Sequence, residues 1–367
     1  MKHIKGLDTV RAIAVLLVIK HHWGPFKLDS VVGDFIISKL LPSGAFAVDV
    51  FFVLSGFLIT GILLHAVNVA NGVPLKTILK NFVVRRALRI FPIYYCCLLV
   101  LFILNYPGIR HDIVILCTYT TNFFIFKQLA WNTMGYTWTL AVEEQFYLLW
   151  PLVILFVPRK YLWHIIIFFI AGSSIISAVM ENRFGFFATT LPFSCFNAFA
   201  TGGALAYSRQ NGKHEILVKR IFVSLLPVAI AAYVLTLSGV NTLFFRLACS
   251  TIAVNIIIYV LKPRHSRLTQ LILNNKVTTG IGKISYGMYL YHALIPFFYY
   301  GMLHVLEGRL HLNKHIIEFL YYPYLAEFLE FIILILVSMA SYKLIEMPFL
   351  RLKRYFEYSR ASIPEAV

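Results

Sequence analysis

The chain has 367 residues, 59% of them apolar, 16% aromatic and only 13% charged, with a mean hydropathy of +0.77. A soluble domain carries about 25% charged residues, so this composition excludes an ordinary soluble enzyme and points to a polytopic membrane protein. The net charge of +17 does not argue for nucleic acid, because basic residues kept out of a membrane collect in the loops on one side.

A helical crossing needs about 20 apolar residues, fewer when neighbouring helices bury its ends. Segments of this kind fall at residues 7–23, 45–67, 88–106, 138–157, 162–180, 190–207, 220–238, 243–261, 284–304 and 324–346. The first looks a little like a signal peptide, but no small-x-small cleavage site follows its apolar run, so it is read as retained. A further apolar piece, 113–126, is short for a crossing and is expected as a helix lying in, or dipping into, the outer side.

Basic residues alternate between the resulting loops. One side holds Lys2 and Lys5, the run Lys76 to Arg89, Arg159 and Lys160, Arg209 to Arg220, Lys262 to Lys283 and Lys343 to Arg360. The other holds only Lys27, Lys39, Arg110, Lys127, Arg183, Arg246, Arg309 and Lys314. The positive-inside rule then puts both termini in the cytoplasm. The expected fold is an all-α transmembrane bundle of about ten spans, one domain over residues 1–350 followed by a basic cytoplasmic tail, 351–367. No repeat of the kind found in many transporters is visible. Cys96, Cys97, Cys117, Cys195 and Cys249 sit in apolar segments without metal-ligand spacing and read as core packing, so no metal site is expected.

The opening segment, LDTVRAIAVLLVIKHHW, carries charge at both ends. Arg11 and His22 are eleven residues apart, so on a helix they project within about 20° of each other and about 16 Å apart along the axis. Such a stripe faces the bundle or a wet cavity, or else both residues snorkel to opposite interfaces. His21 is about 100° off this register.

That opening, with Leu-Asp-x-x-Arg and an Arg-x10-His pairing, resembles the integral-membrane acyltransferase-3 family, with Ala12 where the family usually has Gly. VDVFFVLSGFLIT (48–60, with Asp49, Ser55 and Gly56), RRALRIFPIYY (85–95), TWTLAVEEQFYLLWP (137–151), ISYGMYLYH (284–292) and YKLIEMP (342–348) resemble further motifs of the family in the same order. The resemblance implies an O-acyltransferase of the bacterial cytoplasmic membrane. It would move an acyl group, most often acetyl, onto sugars of O-antigen or other lipopolysaccharide, exopolysaccharide, peptidoglycan or small glycosides. It places His22 at the histidine most often assigned to catalysis and Glu143 at the family's acidic position.

Acyl transfer from acetyl-CoA, a co-substrate and not a bound cofactor, needs three things. The polyanionic donor must be held, a hydroxyl deprotonated, and charge on the thioester oxygen stabilised. Arg85, Arg86 and Arg89 share a helix face by their spacing and are candidates for the phosphates, or else anchors at lipid headgroups. His22 is the candidate base, or a transient acyl carrier. Glu143 would orient the imidazole, raise its basicity or bind the sugar, or else pair with an arginine. Glu144 points about 100° away from it, so only one of the two is expected at the site. Asp49 is placed in the same depth zone as His22, and Arg11 would neutralise a buried acid or meet the donor. Trp138, Tyr136, Tyr147 and Trp131 are candidate sugar-stacking rings or members of an interfacial belt. Ser285, Tyr289 and His292 share one face, for substrate contact or for hydrogen bonds between helices. Glu346 would pair with Lys343 or with the arginines of residues 85–89.

The expected geometry puts donor phosphates at the cytoplasmic edge and His22 toward the outer surface, joined by a pore between the first three spans and the Glu143 span. A proton-coupled secondary transporter is the rival from another class, since it too carries charge inside the membrane; consumption of acetyl-CoA separates the two. A non-catalytic sensor would have lost motif residues, and the central ones are present.

Overall fold

The computed structural model describes residues 4–24, 42–69, 72–212, 214–238, 244–308 and 314–358. Lys2, Lys27, Lys39, Lys213, Arg309 and Arg360, and most of the expected tail, lie outside the described residues.

The described residues are helical and contain no strand. In chain order the helices are α1 (Lys5–Trp23), α2 (Gly44–Val69), α3 (Leu75–Ile103), α4 (Ile109–Cys117), α5 (Thr121–Gln128), α6 (Trp138–Phe156), α7 (Arg159–Phe184) and α8 (Pro192–Asn211). They continue with α9 (Glu215–Leu237), α10 (Phe245–Val260), α11 (Arg267–Leu273), α12 (Lys276–Tyr291), α13 (Leu294–Gly308), α14 (Lys314–Leu320), α15 (Pro323–Ser341) and α16 (Met347–Arg351). Among the described residues six stretches are long and apolar enough to cross a membrane: α2, α3, α6 with the turn before it, α7, α9, and α15 with the turns after it. The chain is an all-α, multi-pass membrane protein.

The other four expected segments are helical but different in kind. Helix α1 carries Lys5, Asp8, Arg11 and Lys20, and α10 is short at 16 residues. Helix α8 is rich in small and hydroxyl residues and is buried along nearly its whole length, as a helix enclosed by protein is. The segment 284–304 is two helices, because Pro296 has no N–H to close on the carbonyl of His292. That carbonyl accepts instead from Trp23 Nε1 at 2.8 Å. The piece 113–126 is also two helices, α4 and α5, of nine and eight residues. At about 1.5 Å per residue neither is long enough to cross.

Two compact units divide the chain. One holds residues 48–263 and the segment from 348 onward; the other holds residues 4–47 and 264–347. In the first, α2 and α8 cross where both backbones are bare. A Cβ on Gly56 would stand 1.9 Å from the Phe199 carbonyl oxygen, and one on Gly202 would stand 2.0 Å from that of Val53. Phe199 stacks on Phe52 and Phe146, with ring centroids 4.5 and 4.0 Å apart. Trp150 donates to the Thr60 hydroxyl at 2.7 Å. In the second unit α1 packs on α12, where a Cβ on Gly282 would lie 2.0 Å from the Asp8 carbonyl oxygen. The Thr9 hydroxyl donates to the Leu273 carbonyl at 2.9 Å.

These approaches predict opposite responses to one substitution. Gly282→Ala and Gly56→Ala should each destabilise the protein by about 1–3 kcal/mol through overpacking. Gly301→Ala, with nothing within 4 Å of its Cβ, should be neutral or stabilise by up to about 1 kcal/mol through helix propensity. Thermal unfolding in detergent, followed by size-exclusion chromatography, checks the contrast.

Candidate functional site

The sequence-selected residues form two constellations, one in each unit. In the unit built on α1 and α12, His22 closes the last turn of α1 and is exposed. Its Nδ1 lies 2.9 Å from the Val18 carbonyl oxygen. A carbonyl only accepts, so Nδ1 carries the hydrogen and Nε2 is the basic nitrogen of the neutral ring. The His292 ring stands edge-on to it, centroids 4.7 Å apart. His292 is fully buried, and its Nδ1 lies 2.6 Å from the Tyr289 carbonyl, which sets the same tautomer. The Tyr289 ring lies 5.6 Å from that of His292.

This pair follows from the local sequence. Helix α12 stops at His292 because of Pro296, and Trp23, directly after His22, reaches across to the freed carbonyl. Trp23 also meets Phe331 of α15 edge-on at 6.5 Å. His21 is exposed and has the backbone of Gly44 against its ring. Arg11 lies lower on α1 and donates to Asp8 Oδ1 at 2.7 Å, a pair in which the acid is buried. Ser285 bonds to the Gly282 carbonyl of its own helix at 2.9 Å. Glu346 is buried in a single π turn, Tyr342–Glu346, within this unit.

The other unit gathers Ser55 of α2, Arg86 of α3, and Glu143 and Tyr147 of α6. The Ser55 hydroxyl donates to Glu143 Oε1 and lies 3.4 Å from the Tyr147 hydroxyl oxygen. The Arg86 guanidinium sits over the Tyr147 ring, 5.3 Å from its centroid, and over Phe82 at 5.5 Å. Glu143 and Glu144 both lie within its Coulombic reach. Arg86 therefore points into the unit, about five-sixths of a turn before Arg89. Arg85 points elsewhere: its Nη1 donates to the carbonyls of Lys353 and Phe356 at 2.9 and 3.2 Å, and it lies over the Tyr358 ring. Asn81 donates to the Glu357 carbonyl at 2.8 Å, so this end of α3 holds the chain's closing segment.

Asp49 is not part of that group. Six residues before Ser55, it projects about 240° away on α2 and pairs with Arg246 at 3.1 Å. Arg246 also donates to Cys195 Sγ at 3.0 Å and to the Thr189 carbonyl at 3.3 Å. Among the aromatic candidates, Trp138 meets Phe52 edge-on at 6.3 Å and Tyr136 is buried. Trp131 is half exposed beside Phe186 and Phe187.

Sequence reasoning left out Ser55 as a site residue and Arg246 as the partner of Asp49. Ser55 stands inside a motif already singled out. Arg246 is a lone charge at the end of an apolar span, which is itself a signal of a buried partner. Among the described residues no cluster of His, Cys, Asp and Glu could hold a metal ion.

The chain is 26% identical to the O-acetyltransferase OatA of Staphylococcus aureus (strain NCTC 8325 / PS 47) over 388 residues, covering 95% of this chain and 57% of that protein. It is 27% identical to the protein named "Putative O-acetyltransferase SACOL0978" of Staphylococcus aureus (strain COL), over 95% of this chain and 58% of that protein. The chain thus spans a little over half the length of the curated relatives it matches. No solved structure matches it. The model of an acyltransferase domain, that of the acyltransferase-3 family, matches residues 4–342, and the chain belongs to that family.

Proposed function

We propose that this protein is a membrane O-acyltransferase, moving an acyl group, acetyl by preference, from acyl-CoA to a hydroxyl of a cell-envelope sugar or polysaccharide. The observation that carries the reading is the His22–His292 pair, in which hydrogen-bonded Nδ1 atoms leave Nε2 as the basic nitrogen of each ring. The exposed His22 takes the proton of the acceptor hydroxyl through Nε2. The oxygen attacks the thioester carbonyl, a C–O bond forms and the C–S bond breaks. The proton passes from His22 to the departing thiolate, giving the ester and free CoA. His292 holds the face of the His22 ring.

Arg86 supplies the cation for the donor phosphates, with Arg89 beside it on α3. Glu143, fixed by Ser55, lies within Coulombic reach of the guanidinium, which sits over Tyr147. Arg85 is committed to the closing segment and contributes less. Ten spans with both termini in the cytoplasm, in a bacterial cytoplasmic membrane, suit a cytoplasmic donor. The acceptor, such as an O-antigen or exopolysaccharide, and the lipid bilayer are the other partners.

His22→Ala should lower acyl transfer by about 10²-fold or more, the contribution of a general base, while detergent-solubilised protein keeps its elution profile; an active variant refutes the assignment. Arg86→Gln should weaken acetyl-CoA binding about tenfold, a loss of about 1.4 kcal/mol, and Arg85→Gln should do so less. Equilibrium binding of labelled acetyl-CoA checks that order. A proton-coupled transporter would leave acetyl-CoA unconsumed in the same preparations.

A further inference from the structure

Between α4 and α5 the chain turns at Tyr119, whose φ is +53°. A bulky residue rarely adopts the left-handed conformation, and it persists only where its surroundings fix it. Here they do. The Tyr119 carbonyl accepts from Gln145 Nε2 at 3.0 Å, and Gln145 also bonds to Asn122. The Tyr94 and Tyr95 hydroxyls donate to the carbonyls of Leu116 and Cys117, each at 2.9 Å, so the elbow hangs from α3. The Tyr119 ring stacks on Tyr94, centroids 4.6 Å apart, and lies near Phe91 at 6.0 Å.

The ring so fixed is only 8% exposed, yet its hydroxyl has no hydrogen-bond partner among the described residues. Glu144, adjacent to Gln145, has a buried carboxylate oxygen in the same condition. Buried donors and acceptors left unmade are costly, and native interiors rarely keep them without a reason. Burial, and after it the nearby Glu144, pushes the Tyr119 phenol up, so the hydroxyl stays protonated and remains a donor. The packing thus holds one donor and one acceptor within electrostatic reach of each other, neither with a hydrogen-bond partner among the described residues.

Their place along α3 says what they could meet. Tyr94 and Tyr95, which carry the elbow, follow Arg86 and Arg89 by five to nine residues, about 8–13 Å along the helix. That is of the order of the separation between the diphosphate and the amides of an extended pantetheine arm. A secondary amide offers one carbonyl and one N–H, the complement of a phenol and a carboxylate.

We propose that Tyr119 and Glu144 form a subsite for a secondary amide of the pantetheine arm, Tyr119 donating to its carbonyl and Glu144 accepting from its N–H. The inference rests on the acyl-CoA reading above and names the part of the donor that this elbow holds.

The test compares two ligands on the purified full chain in detergent: acetyl-CoA, and adenosine 3′,5′-bisphosphate, which has phosphates but no arm. Tyr119→Phe should weaken acetyl-CoA about fivefold to tenfold and leave the bisphosphate unchanged, and Glu144→Met, whose carboxylate also lies in reach of Arg86, should weaken acetyl-CoA by a similar factor more than it changes the bisphosphate, whereas Arg86→Gln should weaken both. Equal loss for both ligands in the elbow variants would make the elbow structural and overturn the proposal. Unchanged acetyl-CoA affinity with a raised KM for an N-acetylated sugar would assign the amide to the acceptor and overturn it too. Failure of the unmodified protein to bind acetyl-CoA at all would remove the donor reading and this subsite together, a result distinct from either.

Discussion

The contact of α1 with α12 at Gly282 is the constraint on which the histidine pair depends. A side chain there would occupy the space of the Asp8 carbonyl, so glycine is what lets the two backbones meet. With that contact set, the ends of the two helices have little freedom. His22 and His292 fall side by side, and Trp23 occupies the carbonyl that Pro296 releases. Small residues perform this service inside membranes because apolar side chains gain little by leaving lipid for protein. The crossing of α2 and α8 at Gly56 and Gly202 does the same for the other unit. It sets Ser55, the residue before Gly56, toward Glu143.

Charge inside an apolar protein is costly unless paired or exposed to water. The charges described near the candidate sites have partners of particular kinds. Arg11 meets Asp8, and Asp49 meets Arg246. Arg86 is held over an aromatic ring with Glu143 in reach. In the first two pairs a guanidinium meets a carboxylate directly, at 2.7 and 3.1 Å. The third is a guanidinium on a ring face, an arrangement that leaves donors for a phosphate. This difference in pairing, more than the count of charges, separates structural ions from candidate ligand-binding ones.

Much of the architecture was legible in the sequence because hydropathy and charge report directly on the solvent each helix faces. The long apolar spans, and the shortness of 113–126, needed nothing more. The break at His292 was also written there, in Pro296, but a continuous apolar run across 284–304 masked it. The burial of α8 was not legible, since a small-residue helix inside protein and one in lipid differ in neighbours and not in period. For the sites, order and spacing selected Arg86, Glu143, Tyr147, His22 and His292, which do gather in their respective units. They also grouped Asp49 with Glu143 by depth alone. Depth gives no azimuth, and α2 turns Asp49 toward Arg246 instead. Tyr119 carries no motif; only its backbone conformation and its unmet hydroxyl mark it.

The central claim is that the chain forms an ester with an acyl group drawn from coenzyme A. It is tested most directly by placing the purified protein in sealed vesicles with a cell-envelope glycan on one side and acetyl-labelled acetyl-CoA on the other. The account predicts label in the glycan, released by mild base as acetate, with free CoA appearing in equal amount. Movement of a solute across the vesicle with the thioester left intact would contradict it.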